Sequence, residues 1–227
     1  MPSSVFNALH QASHSTESLL QEALLGALKN KVAIISSFGA DSAVLLSLVS
    51  QIDRDVPVLF LQTGKHFEET LDYRHTLADH LGLRNVQDIT PAPSEIQARD
   101  PEGQLCYFDV DACCALRKVE PLDKALIPYQ GWITGRKRNQ ASTRASMPMV
   151  EPQPNNRFRI NPLAQWNHDM LESYIEHHHL PRHPLSTMGY PSIGCAPCTT
   201  AVAEGEDPRS GRWAGKGKVE CGIHLAH

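Results

Sequence analysis

The sequence predicts an α/β protein, with a doubly wound, mostly parallel sheet, helices on both faces and a loop-rich C-terminal tail. Two observations predict this fold. Short runs rich in Val and Ile alternate along the chain with longer runs whose apolar residues recur at helical spacing, which favours parallel strands joined by right-handed helical crossovers. After Pro181 the pattern changes, because Pro, Gly and Cys dominate the remainder of the chain.

The first part of the chain supplies two buried strands and the helices between them. Residues 18–29, "SLLQEALLGALK", place apolar side chains on one helical face. Residues 31–38 form a short apolar run typical of a buried strand, and residues 43–52 form the helix that follows it. A second buried strand spans residues 56–62, and the next helix runs through about Leu81.

The second part adds three strands and one helix. Residues 85–90, "NVQDIT", residues 131–135, "GWITG", and residues 157–164, "RFRINPLA", are the predicted strands. Residues 167–180 are the predicted helix, and Asn167 stands where a helix N-cap is expected.

Composition limits the class of protein. The chain has 227 residues, of which 41% are hydrophobic, and a net charge of −4. We expect an α/β domain over residues 1–208 and a mobile catalytic tail over residues 209–227. Neither a secretory signal nor an apolar run of membrane-spanning length is present, so we expect a cytoplasmic protein without nucleic-acid or membrane partners. The sequence leaves the formation of a homo-oligomer open.

Three unusual loops follow predicted strands, where ligands bind in sheets of this kind. The first, "SSFGADS", joins a strand to a helix in the way of a phosphate-binding loop. Gly39 lets the backbone approach an anion, and Ser37, Ser42 and the helix N-terminus supply donors. A tight strand–helix turn is the alternative interpretation. The second loop, 62–65, contains "QTGK".

The third loop, "TGRKRNQASTR", concentrates positive charge in an acidic protein. Arg136, Lys137, Arg138 and Arg144 lie within nine positions. Arginine forks suit phosphate and sulfate oxygens, and the position after a strand favours anion binding over a solvated charged loop.

Four of the six cysteines form two pairs, Cys113–Cys114 and the C-x-x-C of Cys195 and Cys198. In a reducing compartment such a set is typical of a metal site. Adjacent ligands are awkward for one tetrahedral ion, whereas each iron of a cubane takes one thiolate, so the spacing favours a [4Fe–4S] cluster over zinc and leaves both open. Lys118 follows Cys114 by four positions, so we expect it on a helix, near the metal.

The tail carries a separate cysteine in "GKGKVECGIH". Lys216 and Lys218 favour the thiolate of Cys221, whereas Glu220 opposes it. A Gly-rich segment ending in one cysteine is what a mobile catalytic arm requires, and a frayed terminus is the alternative. Cys106 is predicted to be a packing residue rather than a ligand or nucleophile.

Taken together, these motifs resemble the assimilatory adenylyl-sulfate (APS) reductases. These enzymes are relatives of the phosphoadenylyl-sulfate (PAPS) reductases in the PP-loop, adenine-nucleotide α-hydrolase-like superfamily. The resemblance runs from about Lys31 to His224 and rests on "SSFGADS", "LQTG", "CCALRKVEPL", "TGRKRNQASTR", "FRINPLA", "GCAPCT" and "ECGIH". The combination of Cys-Cys, C-x-x-C and Glu-Cys-Gly-x-His is highly specific, whereas each motif alone is not.

The resemblance implies a reaction and a set of site residues. The Cys221 thiolate would attack the sulfur of APS, release AMP and keep a thiosulfonate, from which thioredoxin or a glutaredoxin-like protein would release sulfite. Lys118 and His224 would assist Cys221. The cluster of Cys113, Cys114, Cys195 and Cys198 would polarise the site without carrying the electrons. Residues implied to bind the substrate are Ser36, Ser37, Phe38, Gly39, Ser42, Thr63, Gly64, Arg136, Arg138, Arg144, Arg209 and Arg212.

Two positions depart from related patterns. Gln62 stands where the family usually has Asp, which affects nucleotide contacts. Ala40 stands where ATP-using PP-loop enzymes have Lys, which supports the reductase branch. Three rival interpretations remain: a PAPS reductase, an ATP-dependent tRNA-thiolating enzyme, and a non-enzymatic, zinc-stabilised nucleotide-binding module. The net charge of −4 and Ala40 weigh against the tRNA-thiolating enzyme.

Overall fold

A computed structural model describes residues 3–218 and 220–224, apart from the side chain of His224. The strands of this part of the chain are β1 Val32–Ser36, β2 Val58–Leu61, β3 Val86–Ile89, β4 Gly131–Thr134, β5 Val150–Gln153 and β6 Arg157–Ile160. Its α-helices are α1 Ser4–Ala12, α2 Thr16–Leu25, α3 Ser42–Ser50, α4 Glu68–Leu81, α5 Pro93–Arg99, α6 Leu105–Phe108, α7 Val110–Cys114, α8 Glu120–Ala125 and α9 His168–His177. No described helix is long and apolar enough to cross a membrane.

The six strands form one sheet in the order β3-β2-β1-β4-β6-β5. Every pairing is parallel except that of β5 with β6, which confirms the predicted, mostly parallel sheet. Strand β5 was not predicted. Its segment "VEPQ" contains Pro152, which cannot donate to a ladder but is tolerated on an edge strand, and β5 pairs on one side only.

Helices cover both faces of the sheet, as predicted. Alternate residues of β1 point to opposite faces. Val32 and Ile34 join the larger core, which includes residues of α2, α3, α4 and α9, whereas Ala33 and Ile35 join a smaller core with Leu122 of α8. Burial on both faces explains why the strands are continuous apolar runs instead of alternating ones.

The helix boundaries differ in places from those predicted. α2 begins at Thr16 and ends before Gly26, and α1 lies before it without having been predicted. Asn167 caps α9 as predicted, because its side chain accepts the Met170 N–H at 2.9 Å. Between β3 and β4 the chain forms four short helices, α5 to α8. In this stretch only the region around Lys118 was expected to be helical, and Lys118 lies between α7 and α8.

The described part of the tail packs against the domain. Arg212 forms an antiparallel bridge with Thr199, and Trp213 is only 4% exposed. The division into residues 1–208 and 209–227, with a mobile tail, stays a prediction; the structure describes the tail docked.

Candidate active site

Five thiols line one cavity beside the carboxyl end of β2. Four of them belong to the two pairs Cys113–Cys114 and Cys195–Cys198, and the fifth is Cys106. All six cysteines are free thiols, so no disulfide competes for them. The rest of the wall is formed by Thr63, Lys65, Val110, Arg117, Lys118, Arg212 and Trp213. Two segments that are 80 positions apart in the chain therefore present their cysteines to the same space.

The Cys113–Cys114 pair ends a short helix with a defined start. Asp109 caps α7 by accepting the Ala112 N–H at 2.9 Å. The chain then widens into a π-helical turn, Ala115–Val119, instead of continuing as the expected α-helix. Such turns are rare and are frequently found at functional sites. The π-helical turn carries Lys118, which lines the same cavity as the two thiols.

The C-x-x-C pair lies on a 3₁₀ turn, Ala196–Cys198, that is held from two sides. The Ala196 N–H donates to the Lys65 carbonyl at 2.8 Å, and the Trp213 N–H donates to the Cys198 carbonyl at 3.0 Å. The hydroxyl of Thr63 lies 3.4 Å from the Cys195 sulfur. Since the Lys65 N–H donates to that hydroxyl oxygen, the hydroxyl hydrogen is available to the sulfur.

A buried ion pair, Arg117 with Asp100, holds the π-helical turn in place. Arg117 donates to Asp100 through Nη2 at 2.6 Å and to the Thr63 carbonyl through Nη1 at 2.8 Å. Both side chains of the ion pair are at least nine-tenths buried. The π-helical turn is thereby joined to the loop after β2, because both contacts come from one guanidinium.

The pKa values of the thiols and cations in the cavity are shifted by burial and by their charged neighbours. Burial raises the pKa of the Cys113 thiol to about 11. Burial opposes the charge of Lys118, but the thiolates of Cys195, Cys221 and Cys114 outweigh it and raise the pKa of Lys118. Among residues 3–218 and 220–224, no three His, Cys, Asp or Glu side chains converge closely enough to hold a single metal ion.

The loop after β1 makes a tight turn into α3, in which the Ser42 N–H donates to the Gly39 carbonyl at 3.0 Å. Phe38 adopts a left-handed backbone conformation (φ 48°), which is strained for an aromatic residue, and its side chain is fully buried. Its N–H donates to the buried Ser36 hydroxyl at 3.2 Å. Ser37 is exposed, and Ser42 opens α3, whose first N–H groups face this loop.

Gln62, which departs from the family pattern, has a structural role in the loop after β2. Its side-chain oxygen accepts the Gly64 N–H at 3.1 Å, and Gly64 has a positive φ of 68°. Gln62 therefore closes the turn that presents Thr63, as an Asp at this position could also do.

Most cationic side chains of the loop after β4 form ion pairs or hydrogen bonds with other groups of the protein. Arg136 pairs with Glu151 and donates to the Asn161 side chain, and Arg138 donates to the Met147 carbonyl at 2.8 Å. Lys137 donates to Asp41 at 2.7 Å and so ties this loop to the one after β1.

The tail brings Cys221 to the thiol cavity. Cys221 is 8% exposed and packs with Cys198 and Trp213. Its pKa is lowered, first by a hydrogen bond with Cys114, against the effect of burial, and then by Lys118 and Arg212. The side chain of His224 lies outside the described residues.

The cations expected to act on Cys221 from the tail itself have other partners. Lys216 donates to the carbonyls of Cys106 and Pro197, and Lys218 pairs with Asp111. Cys106 is buried, as predicted for a packing residue, and also lines the cavity. The cations that lower the pKa of Cys221 most are Lys118 and Arg212, which are distant from it in sequence, while Lys218 also interacts electrostatically with Cys221.

Arg209 and Arg212 stack on Trp213, their guanidinium carbons lying 5.7 and 4.5 Å from the ring centre. The Arg212 side chain crosses Gly194, where an added Cβ would collide with the guanidinium, so the glycine before Cys195 makes room for it. Arg144 forms a buried ion pair with Glu220. Nothing in the sequence signalled this last contact, or the pairing of Arg117 with Asp100.

Comparison with known proteins gives one consistent result. Residues 31–201 match the family model of the phosphoadenosine phosphosulfate reductase domain. An adenosine 5'-phosphosulfate reductase of Mesorhizobium japonicum is 54% identical over 197 residues, which cover 87% of this chain and 77% of the relative. A phosphoadenosine 5'-phosphosulfate reductase of Gloeobacter violaceus is 38% identical over 224 residues, covering 95% and 93%.

Solved structures agree on the fold. The phosphate complex of phosphoadenylyl-sulfate reductase from Candida auris superposes with a TM-score of 0.70 at 23% identity, covering 87% of this chain and 96% of that one. An FMN adenylyltransferase of Candida glabrata has a TM-score of 0.58 at 15% identity, covering 86% and 65%. At these identities the likeness concerns the fold alone.

Proposed function

The chain belongs to the phosphoadenosine phosphosulfate reductase family, and on that basis we propose that it reduces APS to sulfite and AMP in sulfate assimilation. The observation that carries the proposal is that Cys221 packs against Cys198 and Trp213 of the cavity wall, where Lys118 and Arg212 favour its thiolate. Relatives named adenosine 5'-phosphosulfate reductase, at 54% and 53% identity, support APS as the substrate.

In the first half-reaction, the Cys221 thiolate attacks the sulfur of the sulfate group. A sulfur–sulfur bond forms, and the bond from that sulfur to the bridging phosphate oxygen breaks. The electron pair of the broken bond leaves on AMP, and Cys221 carries –SO₃⁻. Lys118 and Arg212 act on both partners, because they favour the thiolate and neutralise the phosphosulfate.

In the second half-reaction, a dithiol protein such as thioredoxin or a glutaredoxin-like protein attacks the Cys221 sulfur. The sulfur–sulfur bond breaks, and sulfite leaves with the electron pair. The second thiol of the reductant then resolves the mixed disulfide, which restores the Cys221 thiol and oxidises the dithiol to a disulfide. Two electrons thus pass from the dithiol to the sulfur that leaves as sulfite, and dependence on a reduced dithiol fits a cytoplasmic location.

We further propose that Cys113, Cys114, Cys195 and Cys198 hold a [4Fe–4S] cluster. The donor set supports this, because both cysteine pairs line one cavity as free thiols, with Cys106 as a fifth thiol in the wall. The Thr63 hydroxyl and nearby cations would stabilise thiolate sulfur there. When bound, the cluster would supply a fixed charge distribution beside the reacting sulfur.

The nucleotide would lie across the carboxyl ends of β1, β2 and β4. The N-terminus of α3, with Ser37, Gly39 and Ser42, offers N–H and hydroxyl donors to the phosphate. In the docked tail, Arg144 pairs with Glu220 and Arg136 with Glu151, so Lys118 and Arg212, which line the cavity, are the better candidates for binding the sulfate.

Sulfite release from APS and from PAPS, measured side by side with reduced thioredoxin, tests the function. We expect turnover with APS. The relative of Gloeobacter violaceus, named for PAPS, makes PAPS the second candidate. Without thioredoxin, mass spectrometry should find ~80 Da, the mass of SO₃, added to the Cys221 peptide, because the nucleophile captures that group.

The control for this experiment is Cys221→Ser, which should bind nucleotide but form neither adduct nor sulfite. Sulfite release by that variant, or an adduct on Cys106, would contradict the mechanism.

A further inference from the structure

We propose that Glu220 is a positioning residue, whose ion pair with Arg144 seats the tail so that Cys221 packs against Cys198 and Trp213 of the cavity wall. The same ion pair must open before a protein thiol can reach Cys221. The chemical part of this inference rests on the proposed function, whereas the seating of the tail does not.

The ion pair between Arg144 and Glu220 is bidentate. Nε of Arg144 lies 2.7 Å from Oε2 of Glu220, and Nη2 of Arg144 lies 2.7 Å from Oε1. The two side chains are 6% and 8% exposed. Two parallel, charge-assisted hydrogen bonds fix both the distance and the orientation of the carboxylate.

Glu220 also forms a hydrogen bond with the backbone of Cys221. Its Oε1 accepts the Cys221 N–H at 2.9 Å, in addition to the bond from Arg144. One carboxylate therefore joins the residue that carries the thiol to the loop after β4. The Arg144 guanidinium is itself oriented, because its Nη1 donates to the side-chain oxygen of Gln140.

Other tail contacts lie on both sides of Cys221, and Ile223 after it packs against the smaller core. Lys218 pairs with Asp111, and Lys216 donates to carbonyls of the domain, so both hold the chain before Cys221. Among the described contacts of the tail, the ion pair of Glu220 is adjacent to Cys221 and fully enclosed. Loss of one partner leaves a buried charge uncompensated, so the docked position should be strongly disfavoured in its absence.

The two half-reactions make opposite demands on this ion pair. The first needs Cys221 held beside Lys118 and Arg212. The second needs Cys221 to meet a thiol on another protein, which its 8% exposure in the docked tail prevents. An ion pair between side chains can meet both demands, because it can be exchanged for water without breaking the fold of the domain.

The seating is tested without substrate, by the rate at which iodoacetamide alkylates Cys221 in the purified holoenzyme, followed by peptide mass spectrometry. We expect Glu220→Gln to raise the rate by about tenfold or more, because the neutral amide no longer compensates the buried guanidinium. Glu206→Gln is the matched control, since Glu206 is exposed in the same segment, and it should react at the wild-type rate.

Two further variants separate the ion pair from a general loss of structure. Glu220→Asp keeps the charge and should restore part of the protection. Arg144→Gln combined with Glu220→Gln should react no faster than either single variant, because both changes remove the same interaction. Thermal unfolding of each variant should stay close to wild type.

Single-turnover measurements complete the test. Glu220→Gln should slow transfer of SO₃ to Cys221, whereas dithiothreitol should remove a preformed adduct at least as fast as in wild type. Equal alkylation rates in Glu220→Gln and wild type would overturn the seating. A wild-type protein that releases no sulfite would contradict the proposed function instead, so the two failures are distinguishable.

Discussion

Lys118 lies between the groups that the proposed reaction must bring together. It lines the thiol cavity, and the thiolates of Cys195, Cys221 and Cys114 raise its pKa although burial opposes this. A lysine in this position can neutralise charge on the substrate, the nucleophile and the thiolate ligands.

We expect Lys118→Ala to lower the rate of sulfite formation on the order of 100-fold, as the loss of one preorganised charge does in other enzymes. Iron content should be unchanged, because Lys118 is no ligand. Lys124→Ala, an exposed lysine on α8, is the control. An unchanged turnover in Lys118→Ala would reduce this residue to a structural charge.

The thiol site is assembled from two short elements instead of one long one. α7 and the π-helical turn present Cys113 and Cys114, and a 3₁₀ turn presents Cys195 and Cys198. Neither element is stable alone, so their contacts with Lys65, Asp100 and Trp213 hold the geometry.

Cys198→Ser should lose iron and visible absorbance, because a cluster with three thiolates is held weakly. Cys106→Ser is the matched control: Cys106 lines the same cavity but lies outside the proposed ligand set, and its substitution should leave iron in place. Full iron content in Cys198→Ser would remove the ligand assignment.

A buried histidine fixes the segment after α9 against α4. The Nδ1 of His183 accepts the Leu185 N–H at 3.2 Å, and its Nε2 lies 3.0 Å from the Thr70 hydroxyl. Nδ1 must therefore be unprotonated. Burial lowers the pKa of His183 to about 4, against the smaller, opposing effect of Glu69.

Because the folded pKa of His183 is below the unfolded value, its contribution to stability is complete above about pH 6.5 and is lost as the pH falls towards 4. Between pH 7.5 and 5.5 we expect a loss of about 1.4 kcal/mol from this residue. Urea unfolding should show a smaller loss over that range in His183→Asn, while the exposed control His75→Asn should match wild type. Equal pH dependence in all three proteins would refute the assignment.

At the scale of the whole molecule, the sheet order decides where the ligand site lies. β1 stands between β2 and β4, and the loops after these three strands meet at one edge. Lys137 of one loop binds Asp41 of another at 2.7 Å. Ligands in such folds bind at this edge, where the connections diverge.

AMP should therefore compete with APS, raising the apparent KM without changing kcat, because both molecules occupy the same edge of the sheet. AMP should also protect the loop of residues 135–144 from proteolysis, and CMP is the control for adenine. Millimolar AMP that neither inhibits nor protects would contradict the nucleotide site.

The sequence by itself determined the fold class and the central strands, and it singled out the two cysteine pairs that line one cavity. These follow from local features: apolar runs of strand length, helical spacing, and motifs whose residue types are specific. Where local signals conflicted or were weak, as in edge strand β5 with its Pro152 and the short helices α5 and α6, no element was predicted.

Only the tertiary structure decided which charges surround Cys221. Sequence proximity pointed to Lys216 and Lys218. Lys216 binds the carbonyls of Cys106 and Pro197, whereas Lys218 pairs with Asp111 and also interacts with Cys221. The main cations that lower the pKa of the thiol are Lys118 and Arg212, which are distant in sequence. Glu220 appeared only as an opposing charge until its contact with Arg144, 76 positions away, became visible. Ion pairs depend on distance in space, and a chain that folds back on itself sets that distance independently of sequence separation.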